Sequence, residues 1–141
     1  MSETTDVAGA LAEALGAEHA AVYGYEYLRG VAGDQGRRDA AGEYSHLHKA
    51  LRDTLHEAAV ERGVGPEPAR ASYPLPAGRD AADLDAYAVG LEETTARAYV
   101  WLTAAEDPAL RSTAARALQE ATVRALVWGG GLDPLPGFEE A

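Results

Sequence analysis

Glu18 is an acidic residue at a position where the surrounding sequence calls for a hydrophobic core. It lies in a seam with Leu11, Leu15, Val22 and Tyr25, at spacings of three and four residues. Such spacing is typical of the inward face of a helix in a bundle. A carboxylate on that face is costly unless it is paired, hydrogen-bonded or bound to a metal. Glu18 is therefore the first candidate functional residue.

Two further polar residues occupy comparable positions later in the chain. His48 falls on the inward seam of a second predicted helix, and Glu92 borders the buried stripe of a third. Counting residues from the predicted turns places Glu18, His48 and Glu92 at one height of a bundle. Arg52 lies within a turn of that height, and Tyr25 lies a couple of turns along. These five residues form a predicted buried polar layer.

Two carboxylates and one histidine allow three interpretations of this layer. Glu18, His48 and Glu92 could bind one Fe, Mn or Zn ion, because such a set is a plausible facial ligand group. Alternatively, Arg52 neutralises Glu18 or Glu92 and His48 bridges them in a buried polar network. In the third interpretation, the layer lines a small-molecule pocket. The residue types alone leave these alternatives open.

A Glu-x-x-His motif formed by Glu43 and His46 matches the ligand pair of di-iron helical bundles. Both residues nevertheless share a stripe with other charged residues, so we predict that they face solvent. A dinuclear site would need a second such motif in the fourth helix. That helix offers Glu120 and Arg124 instead, four residues apart, which predicts an ion pair on one face of the helix. No histidine follows residue 56.

Four helices would position these residues. The predicted helices cover residues of about 6–31, 37–62, 81–105 and 108–128. Segment 63–80 contains four prolines and three glycines and is long enough to run back along a bundle. The tail 129–141 has no helical period, and we expect Leu135 and Phe138 to pack against the bundle. The prediction is one all-α domain, residues 1–141, with the single long crossover between helices two and three that ferritin-like bundles have.

The composition excludes several classes of protein. The net charge of −11 argues against binding to nucleic acid or to an anionic membrane surface. The chain has no cysteine, which excludes disulfides and thiolate metal sites. No stretch approaches the roughly 18 apolar residues of a membrane span, and no signal peptide is evident. The sequence therefore predicts a cytoplasmic, soluble protein.

Tyr23 and Tyr27 lie four residues apart on the first predicted helix, away from its inward seam. This second aromatic stripe could contact a neighbouring subunit, which would make the protein a homodimer. It could equally cover the flank of a neighbouring helix of the same chain. Both interpretations stay open from the sequence.

Several stretches together resemble a known family: AEHAAVYGY (17–25), HKALRDTL (48–55), YPLP (73–76), LE (91–92) and ALQEATVRALVW (117–128). In their order and spacing, the chain resembles the ferritin-like domain family of unknown function that is found mainly in actinobacteria. The resemblance implies a ferritin-like bundle and no established activity. Glu18 with Tyr25 also resembles the Glu and Tyr of the first helix of ferritins and bacterioferritins, and Glu92 their third-helix glutamate.

The fourth helix departs from that pattern because it lacks the second Glu-x-x-His, so ferroxidase activity and iron storage are not carried over. The leading functional hypothesis is a ferritin-like protein of unknown function with a degenerate di-iron-type site. One alternative is an Fe- or Mn-dependent oxidoreductase that uses Glu18, His48 and Glu92. Another is a partner-binding helical module that acts through Tyr23 and Tyr27. No cofactor is assigned, and the sequence does not decide whether the protein is an enzyme.

Overall fold

A computed structural model describes residues 3–130 of the chain, and these residues form four helices and no strand. The helices are α1 (Glu3–Val31), α2 (Gln35–Glu61), α3 (Ala81–Thr103) and α4 (Pro108–Val127). The protein is therefore all-α, and its four helices fit a four-helix bundle. None of the described helices is long and apolar enough to cross a membrane. The predicted packing of Leu135 and Phe138 falls outside the described residues.

Short polar residues and glycines set the limits of these helices. The side chains of Asp34, Asp80 and Asp107 each accept a hydrogen bond from a backbone N–H in the first turn of α2, α3 and α4. Such a cap is worth about 1 kcal/mol. After α2 and α4, Gly63 and Gly129 adopt positive φ angles of 70° and 98°. Glycine reaches this left-handed conformation without the steric cost that a Cβ brings.

Two apolar clusters fill opposite ends of the bundle. One contains Leu11, Leu55, Leu102 and Leu110, which come from the beginnings of α1 and α4 and the ends of α2 and α3. The other contains Leu28, Ala41, Leu84 and Trp128, which come from the opposite ends of the same helices. It follows that α1 and α4 run in one direction and α2 and α3 in the other.

Helix α1 packs against both α2 and α3, and α3 packs against α4. Helices α1 and α3 approach each other closely at Gly24. A Cβ at this position would lie 2.7 Å from Cδ1 of Leu91 and 2.7 Å from Oη of Tyr87. Because van der Waals contact between such atoms needs about 3.5 Å or more, the glycine lets the two helices meet.

The segment that joins α2 to α3 lies against the outer side of α1. The ring of Tyr73 meets that of Tyr23 edge-on, with 5.5 Å between centroids. The guanidinium carbon of Arg79 lies 6.0 Å from the ring centroid of Tyr27. The two tyrosines of the predicted subunit interface thus contact residues of their own chain, and their use in a homodimer stays a prediction.

Two leucines of α2 allow a test of which face of this helix points into the core. Leu55 is fully buried and Leu47 is 40% exposed. We expect Leu55→Ala to lower the free energy of unfolding by about 2–5 kcal/mol, because it removes buried methyl groups and leaves a cavity. Leu47→Ala should cost less than about 1 kcal/mol. Urea denaturation of both variants measures the difference, and equal losses would contradict this facing.

Candidate functional site

Six polar side chains from all four helices meet in the middle of the bundle. Five of them have no exposed surface, and the sixth, Arg124, is 6% exposed. Helices α1 and α3 supply the acids and phenols, whereas α2 and α4 supply the bases. We refer to this set as the central network: Glu18 and Tyr25 of α1, His48 of α2, Glu92 and Tyr99 of α3, and Arg124 of α4.

His48 links the two carboxylates. Its Nδ1 donates to Oε1 of Glu18, and its Nε2 donates to Oε2 of Glu92 at 2.9 Å. Burial alone lowers the pKa of His48, but the hydrogen bonds and charges of the two carboxylates outweigh it and raise the pKa from 6.5 to about 9. His48 is therefore a buried imidazolium at neutral pH.

Two tyrosines donate to the remaining sides of the carboxylates. Oη of Tyr99 lies 2.6 Å from Oε2 of Glu18, and Oη of Tyr25 lies 2.5 Å from Oε2 of Glu92. Burial, reinforced by the adjacent carboxylates, raises the pKa of both phenols well above the ordinary value. Both tyrosines thus keep their protons. The ring of Tyr25 also stacks on the imidazole of His48, with 5.5 Å between centroids.

Arg124 completes the network from α4. Its Nε donates to Oε1 of Glu92 at 3.0 Å, while its Nη2 is buried with no hydrogen-bond partner among the described residues. Burial alone would raise the pKa of Glu92, but His48 and then Arg124 outweigh it and lower the pKa below its ordinary value. Both oxygens of Glu18 accept hydrogen bonds, as an ionised carboxylate does. Two cations therefore balance two anions.

The residues as arranged do not fit a metal site. Glu18 and Glu92 lie at opposite nitrogens of the same imidazole ring, so the three predicted ligands do not converge on one point. All four carboxylate oxygens already accept hydrogen bonds from His48, Arg124 or a phenol. Over residues 3–130, no group of three His, Asp or Glu side chains is arranged to hold a metal ion.

The prediction that Arg52 neutralises Glu18 or Glu92 was wrong. Its side chain is 33% exposed and its Nε donates to Asp53 at 3.1 Å. A guanidinium is costly to bury unless it finds an open carboxylate, and the oxygens of Glu18 are already taken by His48 and a phenol. Arg52 therefore remains at the surface, and the guanidinium of the network comes from α4.

The predicted ion pair between Glu120 and Arg124 on one face of α4 was also wrong. Glu120 is exposed, whereas Arg124 turns inward to the carboxylate of Glu92. The buried partner is favoured because attraction between charges grows as the surroundings exclude water. Glu43 and His46 are exposed and lie outside the network.

Sequence reasoning missed Tyr99 and Arg124 as members of the network. For Tyr99 a signal existed, since it follows Glu92 by seven residues just as Tyr25 follows Glu18. Seven residues are two helical turns, which bring both side chains to one face. For Arg124 the only signal was its approximate height on α4 opposite Glu92.

Four helices around a buried, charge-balanced network define an all-α helical protein with an ionic centre. The chain belongs to the family described as a domain of unknown function, DUF4439, which matches residues 10–140. Its structure is similar to the crystal structure of a conserved hypothetical protein, rv2844, from Mycobacterium tuberculosis. The TM-score is 0.83, with 32% sequence identity over 90% of each chain. No curated protein sequence matches the chain.

The raised pKa of His48 predicts how stability depends on pH. Between pH 6.5 and about 9 the folded protein holds a proton that the unfolded chain releases, so the free energy of unfolding should fall as pH rises through this window. The loss should be on the order of 3 kcal/mol. Urea denaturation between pH 6 and 9.5 measures it.

Two histidine variants of α2 serve as controls for this pH dependence. His48→Gln should remove the decline, because no imidazole remains between the carboxylates. His46→Gln, at an exposed position of the same helix, should retain it. A wild-type profile that is flat over this window would show that His48 is neutral in the folded protein.

The pairing of Arg124 with Glu92 predicts a compensated double variant. Arg124→Met leaves two buried anions facing one cation, and we expect it to cost about 3–5 kcal/mol. Adding Glu92→Gln restores the balance of charge, so the double variant should be more stable than Arg124→Met alone. Arg52→Met should cost less than about 1 kcal/mol. A double variant that is less stable than either single variant would refute the pairing.

Proposed function

We propose that this protein is a ferritin-like bundle in which a metal-independent charge network stands in place of the di-iron-type site. Two features support the fold assignment. Helices α2 and α3 run in the same direction, and the segment that joins them returns along the side of α1. A single long crossover of this kind is the connectivity of ferritin-like folds.

The observation that carries the proposal is the 3.0 Å contact from Nε of Arg124 to Oε1 of Glu92. With the imidazolium of His48, this guanidinium supplies the positive charge that a metal ion would otherwise bring to two buried carboxylates. A further cation at this point would be repelled by both groups and would find no free carboxylate oxygen. We therefore expect neither ferroxidase nor iron-storage activity.

On this proposal the central network has a structural task. Each of the four helices contributes at least one member, so the network can form only when all four have the correct height and rotation. Buried ion pairs often add little net stability, and their best-attested use is to fix the register of helices. Any binding or recognition would then take place on the surface of the bundle, as in the hypothesis of a partner-binding helical module.

The alternative of an Fe- or Mn-dependent oxidoreductase requires a rearranged centre. His48 would have to release one carboxylate, and Arg124 would have to leave Glu92, before Glu18, His48 and Glu92 could share one ion. A module that acts through Tyr23 and Tyr27, with or without a homodimer, requires that Tyr73 and Arg79 leave those rings accessible.

Metal content tests the proposal directly. Protein without an affinity tag is stripped with a chelator, exposed to Fe(II) without oxygen or to Mn(II), and desalted. We expect well below one metal ion per chain by mass spectrometry. Glu18→Gln and the exposed Glu43→Gln serve as a matched pair. One ion per chain that persists in Glu43→Gln but is lost in Glu18→Gln would overturn the proposal.

A further inference from the structure

A groove on the surface of the bundle lies between α1 and α3, beside the segment that joins α2 to α3. Its volume is about 620 Å³, which is within the range of small-molecule sites. It is lined by small residues of α1, including Gly16 and Ala20. Arg97 and Trp101 of α3 and Arg70 of the joining segment also line it. We refer to it as the α1–α3 groove.

Trp101 gives the groove an aromatic wall. Its side chain is 69% exposed, more than any other large hydrophobic residue of the described chain. An indole is among the most favourable side chains to bury, and it presents a flat face on which a planar ring can stack. Trp101 is therefore the natural anchor for an aromatic ligand.

Two of the residues that line the groove carry a guanidinium group. Arg70 and Arg97 form no salt bridge within residues 3–130, whereas Arg37, Arg62 and Arg124 each do. Arg97 precedes Trp101 by four residues and therefore lies one turn away on the same side of α3. An anionic group next to a stacked ring would reach Arg97.

The acids of the groove limit the charge of such a ligand. Glu13 and Glu67 also line it, so the formal charge of the lining is zero. A ligand with several negative charges would meet these two carboxylates in a chain whose net charge is already −11. A ligand with a single negative charge, paired with one guanidinium, keeps this repulsion small.

The joining segment is held in place beside the groove. Nε2 of His19 donates to the backbone carbonyl of Glu67 at 2.9 Å, and the backbone N–H of Arg70 donates to Oη of Tyr73 at 2.9 Å. The wall that carries Arg70 is thus formed before a ligand arrives, which reduces the entropic cost of binding.

We propose that the α1–α3 groove binds a planar aromatic molecule with one anionic group, which stacks on Trp101 and pairs with Arg97. None of its residues belongs to the central network, so the inference does not depend on whether that network excludes metal.

The two tryptophans of the chain allow a direct test on the full-length protein. Their indole N–H signals are separate reporters in a nitrogen–proton NMR spectrum, and Trp101→Phe assigns them. We expect 1-naphthoate to shift the Trp101 signal saturably with a Kd below about 1 mM, and to leave that of the buried Trp128 unchanged. The neutral 1-naphthalenemethanol should bind at least about tenfold more weakly.

Three variants decide whether the shift reports the proposed site. Arg97→Gln should weaken 1-naphthoate binding about tenfold, and Arg116→Gln, exposed on α4, should not change it. Gly16→Leu should abolish binding by filling part of the groove, because Gly16 lines it and a Cβ there meets nothing within 4 Å. This variant should leave the thermal unfolding temperature unchanged or higher. The absence of a saturable shift would overturn the proposal. Equal affinity for the neutral compound would also overturn it, and would indicate that the groove is an apolar docking face instead.

Discussion

The rest of the structure depends on a protonated histidine held between two buried carboxylates. His48 contacts Glu18 of α1 and Glu92 of α3 through its two ring nitrogens, so three helices are fixed by one ring. Charges removed from water cost several kcal/mol each unless they are fully paired. The remaining donors around the carboxylates, two phenols and a guanidinium, meet that requirement. Loss of any charged member leaves another buried charge without compensation, so the network acts as a unit.

In the network, the tyrosine of each of two helices donates to the glutamate of the other helix, and the directions of the helices make this possible. Glu18 and Tyr25 are seven residues apart on α1, and Glu92 and Tyr99 are seven apart on α3. Because α1 and α3 run in opposite directions, each phenol crosses to the carboxylate of the other helix. The close approach at Gly24 brings the two helices near enough for these two hydrogen bonds. Helices α1 and α3 thereby carry the acids, while α2 and α4 carry the cations.

Burial, acidic side chains and an apolar shell are the same conditions that make carboxylates good metal ligands. In this chain, an imidazolium and a guanidinium meet those carboxylates instead. The centre is self-contained, because each carboxylate oxygen of Glu18 and Glu92 accepts a hydrogen bond within the network. Accessible features lie at the surface, where Trp101 and two arginines that form no salt bridge within residues 3–130 line the α1–α3 groove.

The sequence by itself determined the helices and the buried polar positions. The predicted helix limits lie within three residues of the observed ones, because hydrophobic spacing and aspartate caps are local signals. Glu18, His48 and Glu92 were identified for the same reason, since the period of a helix encodes which face is buried. Only the tertiary structure decided between Arg52 and Arg124, and placed the joining segment against Tyr23 and Tyr27. A long guanidinium side chain can turn to solvent or to the core, and a proline-rich segment has no period. Their places follow from distances between elements, which no local pattern specifies.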